Sequence, residues 1–317
     1  MKILVTPTSL QPGKNAEALE TLQKFTTDLV FNSTGRPLTE DELIPLLQDC
    51  DGYIAGLDDV TAKVLAACPN LKVVSRYGAG YDRVDIQAAK EHGIVVTNTP
   101  GVNAQAVGEL AFGLIMAAAR NIPYLNEMTR KGEWVRSTGI ELKGKTLGIM
   151  GLGAIGKVVA RCAQGFGMNV IAYDPFINDA YCKENNIGNC TYDEVIEQSN
   201  VISLHLPLND QTRHMIDKDS IARMKDGVIL VNASRGGIID EDAAYEGLKS
   251  GKIAGLGLDA FEVEPPKDSK LFEFPTVIAT PHTGAHTKEA TQNMANASVK
   301  NLIDVLSGND CPFIVNR

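Results

Sequence analysis

The stretch Thr146-Leu-Gly-Ile-Met-Gly151-Leu-Gly153-Ala-Ile-Gly156, continued by a helical pattern from Ile155 to Phe166 and by Val170-Ile-Ala-Tyr173-Asp174-Pro175, decides the reading of this chain. An apolar strand runs into three glycines at G-x-G-x-x-G spacing, a helix follows, and a second strand ends on a carboxylate. A bare G-x-G-x-x-G also describes an ordinary glycine-rich turn. Strand, helix and acidic residue together describe a βαβ unit built for a dinucleotide. Gly151 permits the tight turn, Gly153 lets backbone approach a pyrophosphate, and Gly156 lets helix and strand pack closely. The helix start at Ala154 and Ile155 offers backbone N–H groups to phosphate. Asp174 stands 23 residues after Gly151, where a carboxylate accepts both ribose hydroxyls of NAD and repels the 2′-phosphate of NADP. No Arg or Lys follows in Pro175-Phe-Ile-Asn178 to receive that phosphate.

The whole chain fits this reading. Its 317 residues suffice for two domains, and 44% hydrophobic with 22% charged residues is the balance of a globular protein. A formal charge of −9 opposes a surface that tracks nucleic-acid phosphates. The cysteines at 50, 68, 162, 182, 190 and 311 form no C-x-x-C pair and no zinc spacing, so they read as reduced thiols and no metal is expected. The longest apolar run, Leu110 to Ala119, is about half a membrane span. With no signal-peptide pattern at Met1, the expectation is a soluble cytoplasmic protein with neither nucleic-acid nor membrane partners.

Outward from the centre, short apolar runs alternate with amphipathic helical patterns, which predicts parallel sheets covered on both faces. Strands are predicted at Lys2–Val5, Leu29–Phe31, Gly52–Ala55, Val73–Ser75 and Val95–Thr97, and in the second half at Val201–Leu204, Val228–Asn232, Ile253–Leu258 and Val277–Ala279. Thr39-x-x-Glu42 has the form of a capping box. Asn98-Thr-Pro100-Gly101 is a breaker cluster suited to a boundary. The helix Ala104 to Ala119 is so apolar that it must be buried. Trp134, among Lys131, Glu133 and Arg136, belongs to a more exposed arm.

Polar residues follow several predicted strands, at the edge where open α/β sheets bind ligands. Arg235, flanked by glycines, can fork two N–H bonds to a carboxylate. His282 is suited to proton transfer, and Glu264 against its other ring nitrogen would fix the tautomer and favour the imidazolium. Taken singly, each also reads as an ordinary surface or structural residue. Gly78-Ala79-Gly80 reads either as a strand-to-helix turn or as a loop whose amides face an anion.

Taken together, Gly78-Ala-Gly80-Tyr-Asp-Arg-Val-Asp85, Pro100-Gly-Val-Asn103 with Ala106-Val-Gly-Glu109, the Gly151 fingerprint with Tyr173-Asp174-Pro175, Asn232-Ala-Ser-Arg-Gly236, Asp259 to Pro265 and Pro281-His282 resemble the D-isomer-specific 2-hydroxyacid dehydrogenase family over nearly the whole length. That family includes phosphoglycerate dehydrogenases, D-lactate dehydrogenases and glyoxylate or hydroxypyruvate reductases. The resemblance implies two Rossmann-like and flavodoxin-like α/β domains with parallel sheets. A discontinuous substrate domain, 1–99 and 287–317, would carry an inserted NAD-binding domain, 100–286. It casts Arg235 as substrate anchor, His282 as acid/base and Glu264 as its partner. Asp259 takes a place near the nicotinamide carboxamide, and the Gly78 and Ala79 amides hold the substrate carboxylate.

The implied activity is NAD-dependent interconversion of a small D-2-hydroxy acid and its 2-oxo acid, in a homodimer. Alternatives are a D-3-phosphoglycerate dehydrogenase of serine biosynthesis and an NAD(H)-sensing protein of the co-repressor type. Formate dehydrogenases are disfavoured, because they carry an amide where this chain has Glu264. In phosphoglycerate-using relatives the loop after the third strand carries an Arg. Here Ala55-Gly-Leu-Asp58-Asp59 carries two acids instead, which would repel a phosphate by ~1 kcal/mol per pair even in water. The expected substrate is therefore unphosphorylated.

Overall fold

The computed structural model describes all 317 residues, which divide into two compact units, 1–103 with 286–317 and 104–285. The second unit is thus inserted in the sequence of the first. No helix is long and apolar enough to cross a membrane.

In the first unit, strands β1 (Lys2–Val5), β2 (Asp28–Phe31), β3 (Gly52–Ala55), β4 (Val73–Arg76) and β5 (Val95–Thr97) form a parallel sheet of order β2-β1-β3-β4-β5. The strands are apolar at successive positions because both faces are buried. Ile3, Val5, Ile54 and Val73 face one side, packed with Leu22 of the helix Ala16–Phe25 and with Ala295, Val299 and Leu302 of the helix Lys288–Leu306. Leu4, Tyr53, Val74 and Val96 face the other, over the helices Glu40–Leu47, Ala62–Ala66 and Ile86–Glu91. The capping box at Thr39 and Glu42 is formed. After the last helix, the chain returns along β5, with the Val315 N–H donating to Val96 O at 2.9 Å.

The second unit holds seven parallel strands: β6 (Thr146–Met150), β7 (Asn169–Tyr173), β8 (Gly188–Asn189), β9 (Val201–Leu204), β10 (Val228–Asn232), β11 (Ile253–Leu258) and β12 (Val277–Ala279). Their order is β12-β11-β10-β9-β6-β7-β8. The two-residue β8, too short for any hydrophobic period, was not foreseen. The helix Ala104–Ala119 is buried along one side, as its composition demanded. Gly255 and Gly257 let it lie against bare strand, since a Cβ at either would stand 3.1 Å from Ala118 Cβ or 3.0 Å from Leu114 Cβ. The chain leaves β6 toward β7 on one side and resumes at β9 on the other. This is the switch point outside whose strand ends such sheets bind ligands.

Candidate active site

All strands of the second unit are parallel, so the segments after β6, β7, β9, β10, β11 and β12 share its C-terminal edge. After β6 comes the glycine turn. Gly151 has φ 97°, and a Cβ there would press within 2.7 Å of the His205 carbonyl oxygen after β9. A Cβ at Gly156 would strike the Gly151 carbonyl oxygen, whereas one at Gly153 would meet nothing within 4 Å, so the turn is open on that side. The helix Ala154–Gly165 starts at Gly153 with no side-chain cap, leaving its first amides to an outside acceptor. At the end of β7 the Asp174 carboxylate accepts from Leu152 N–H at 2.8 Å and from Phe176 N–H at 2.8 Å. It therefore ties the glycine turn to the end of β7. An open turn, uncapped helix amides and a fixed acceptor fit a dinucleotide. Gly151, Gly153, Ala154, Ile155, Gly156 and Asp174 would hold it.

His205 was not singled out by sequence. Its N–H donates to Met150 O at 2.7 Å, and Nε2 lies 2.9 Å from Ser203 Oγ, while Nδ1 is enclosed with no partner. Burial pushes the imidazole down to about 4, so the ring is neutral at physiological pH. The residue as a whole is part-exposed, but its unpaired nitrogen is not.

Arg235 follows β10 on a turn built by Asn232. The buried Asn232 Oδ1 accepts from Ser234 N–H at 3.0 Å and Ser234 Oγ at 2.7 Å, and its Nδ2 donates to Arg235 O at 2.7 Å. The pattern Asn-x-Ser is a recognisable Asx-turn signal, so this role was legible, though not read. Gly236 then passes so close to the Phe261 carbonyl that any Cβ would collide with it. The Arg235 loop is thereby seated on the loop that carries Glu264.

The two residues expected to act as a pair are brought together: His282 Nδ1 lies 2.8 Å from Glu264 Oε1, both partly buried. Glu264 Oε1 also accepts from Phe261 N–H at 3.3 Å. His282 sits in left-handed backbone, φ 50°, a conformation rare outside glycine and asparagine. Asp259 holds it there. This carboxylate, 2% exposed at the end of β11, accepts from Thr280 Oγ1 at 2.6 Å, Thr283 N–H at 2.8 Å and Gly284 N–H at 2.8 Å. Asp259 thus grips both sides of the His282 turn, a function its position in the sequence did not disclose.

In the first unit, the Gly78, Ala79 and Gly80 carbonyls accept from Thr99 N–H at 3.0 Å, Asn98 Nδ2 at 2.7 Å and Arg76 Nε at 3.0 Å. Fixing the Gly78 carbonyl turns the Ala79 amide of the same peptide plane the opposite way. One expectation fails in this unit. The sequence places Asp58 as a carboxylate that would repel a phosphate, but it is 2% exposed and accepts from Thr6 Oγ1, Tyr53 Oη at 2.8 Å and Leu38 N–H at 2.6 Å. Three donors turn it inward. Asp59 remains at the surface, paired with Arg83 at 3.0 Å.

A glycine turn closed by an acid, with a His–Glu pair and an arginine on the same strand edge, defines a nucleotide-dependent dehydrogenase. Residues 112–284 match the family description "D-isomer specific 2-hydroxyacid dehydrogenase, NAD binding domain". Hydroxypyruvate reductase of Thermotoga maritima is 44% identical over 296 residues, covering 90% of this chain and 96% of that protein. D-3-phosphoglycerate dehydrogenase of Methanocaldococcus jannaschii is 43% identical over 88% of this chain, which spans only 54% of that longer protein. Among solved structures, D-lactate dehydrogenase from Aquifex aeolicus, complexed with NAD and lactic acid, matches with TM-score 0.88 and 28% identity over 100% of this chain and 99% of that one. The chain belongs to the D-isomer specific 2-hydroxyacid dehydrogenase family. It is an NAD-dependent oxidoreductase of D-2-hydroxy acids and their 2-oxo acids.

Proposed function

We propose that this enzyme reduces a small unphosphorylated 2-oxo acid of the glyoxylate or hydroxypyruvate class. The observation that carries the chemistry is the 2.8 Å contact between His282 Nδ1 and Glu264. With Nδ1 held by a carboxylate, Nε2 is the nitrogen left to carry the transferred proton. When bound, NADH would supply the hydride that C2 of the oxo acid accepts. Protonated His282 donates to the alkoxide oxygen that develops there, and Arg235 forks onto the substrate carboxylate. The Gly78 and Ala79 amides of the first unit are assigned to substrate binding. In the oxidative direction neutral His282 takes the proton from the 2-hydroxyl. Asp259 is assigned a place beside the nicotinamide carboxamide as well as its grip on the His282 turn.

Substrate class is supported by the first unit's strand ends. The loop after β3 offers the half-exposed Leu57 and no base. Arg76 is buried and spans to the Ala55 and Gly80 carbonyls, while Arg36 is forked onto Glu42 at 2.9 and 2.6 Å. The inward turn of Asp58 weakens the repulsion argument, but the loop still lacks a cation for a phosphate. The 44% identity to a hydroxypyruvate reductase over 90% of this chain supports the same class.

We assign NAD binding to 100–286 and substrate binding to 1–99 with 287–317. A homodimer in the cytoplasm is supported by the 83% exposed Trp134, in a segment that also exposes Val135 and Ile140, and by six unpaired cysteines. The test is turnover of NADH with glyoxylate, hydroxypyruvate, pyruvate and 3-phosphohydroxypyruvate at matched concentration. A preference of roughly tenfold for the phosphorylated compound would establish the phosphoglycerate reading instead. NADH binding without turnover of any of the four would establish a sensor.

A further inference from the structure

A second histidine–glutamate pair lies on the outer side of the loops that carry the chemistry. His214 Nε2 is 3.0 Å from Glu262 Oε1, and the same oxygen accepts from Glu241 N–H at 3.3 Å. Glu241 returns the contact, its Oε1 accepting from Glu262 N–H at 2.8 Å. His214 is itself fixed to the Arg235 side, its backbone N–H donating to Gly237 O at 2.7 Å. Three segments therefore meet: the one after β9 through His214, the one after β10 through Gly237 and Glu241, and the one after β11 through Glu262. Glu262 is two residues from Glu264, and Gly237 is two residues from Arg235. Between them Gly236 is pressed against the Phe261 carbonyl, a contact that tolerates no side chain and so must be held in register. Burial raises the pKa of Glu241, against the Glu262 N–H that donates to it.

We propose that His214, Glu262 and Glu241 form a clamp that sets the position of Arg235 relative to the Glu264–His282 pair, acting as positioning residues for the reaction. This rests on the roles assigned to Arg235, Glu264 and His282 above. Because the clamp joins segments after β9, β10 and β11, its loss loosens substrate orientation. The glycine turn and Asp174, on β6 and β7, are untouched. The expected signature is a split between the two ligands.

In Glu262→Ala, kcat/KM for the 2-oxo acid falls roughly tenfold, within the ~10²-fold that a small misplacement can cost, while KM for NADH stays within about twofold. Glu262→Gln keeps an acceptor for both donors and recovers most of the loss. His214→Ala, which removes one arm only, gives an intermediate loss and serves where Glu262→Ala does not fold. Lys252→Ala, which breaks a surface pair with Asp226, is the neutral control. Backbone hydrogen exchange at 233–237 and 261–265 rises in the alanine variants. The clamp is overturned if His214→Ala and Glu262→Ala keep parental kinetics and exchange, or if NADH affinity falls in step with turnover. A parent enzyme inactive on every 2-oxo acid sinks the functional reading instead, and unchanged exchange at the two loops then overturns the clamp on its own.

Discussion

His282 Nδ1 and Glu264 Oε1 stand 2.8 Å apart on segments that follow neighbouring strands, and the histidine reaches this position only through left-handed backbone. Replacing Glu264 with Gln keeps an acceptor for Nδ1–H and removes the charge. The amide still orients the ring but sets no charge against it, so reductive kcat falls roughly ten- to a hundredfold. His282→Ala loses roughly 10²- to 10⁴-fold in kcat. A Glu264→Gln enzyme with the kcat of the parent would show that the pair has no part in proton transfer.

Asp174 has two tasks in one carboxylate. It accepts from Leu152 N–H inside the glycine turn and from Phe176 N–H beyond β7, and it is the carboxylate assigned to the ribose of the cofactor. Asp174→Ala removes the ribose acceptor and slackens the turn, while also removing the charge that repels a 2′-phosphate. KM for NADH should rise roughly tenfold and the gap between NADH and NADPH should narrow. Steady-state kinetics with both cofactors checks this, and an undiminished preference for NADH would place discrimination elsewhere.

Asp58 gives a stability prediction in the first unit. Its buried carboxylate satisfies the Tyr53 hydroxyl, the Leu38 N–H and the Thr6 hydroxyl, and Tyr53 is fully enclosed. Asp58→Ala leaves the Leu38 N–H without an acceptor and the two hydroxyls with only each other, 3.2 Å apart, costing about 3 kcal/mol. Asp58→Asn retains one acceptor oxygen and costs less. Urea midpoints of the two variants decide it, and equal midpoints would mean that water replaces the carboxylate.

What the sequence disclosed and what it hid divide along a physical line. Parallel strands buried on both faces write themselves as apolar runs, and a dinucleotide turn needs glycines at fixed spacing, so both sheets and the Gly151–Asp174 unit were legible. His282 and Glu264 were found because a proton-transfer pair needs those two chemistries. Asp58 was misread because a carboxylate in a loop looks the same whether it faces solvent or three inward donors. Asp259 was noticed only through resemblance, since its three donors come from residues 280, 283 and 284, on a different strand end. His205 carried no signal at all, because an enclosed ring nitrogen depends on packing that one strand cannot reveal.

That histidine yields the last prediction. His205 lies at the end of β9 against Gly151, its Nε2 near Ser203 Oγ and its Nδ1 enclosed, and burial lowers it from the ordinary 6.5 to about 4. The native state therefore binds this proton less readily than the unfolded chain does. Its stabilising contribution is complete above the unfolded value near 6.5 and is lost progressively as pH falls from there toward about 4. Between about pH 7 and about pH 5 the loss amounts to roughly 2 kcal/mol, with about 3 kcal/mol as the ceiling over the full window. His205→Gln offers Ser203 a polar partner but does not titrate, so it should lose less stability than the parent over the same interval, even though its stability at neutral pH is lower from imperfect packing. Unfolding by urea at both pH values, monitored by circular dichroism, measures the difference. If parent and variant lose stability equally on acidification, the ring is protonated in the native state, and its enclosure beneath the glycine turn contributes nothing to the acid sensitivity of the fold.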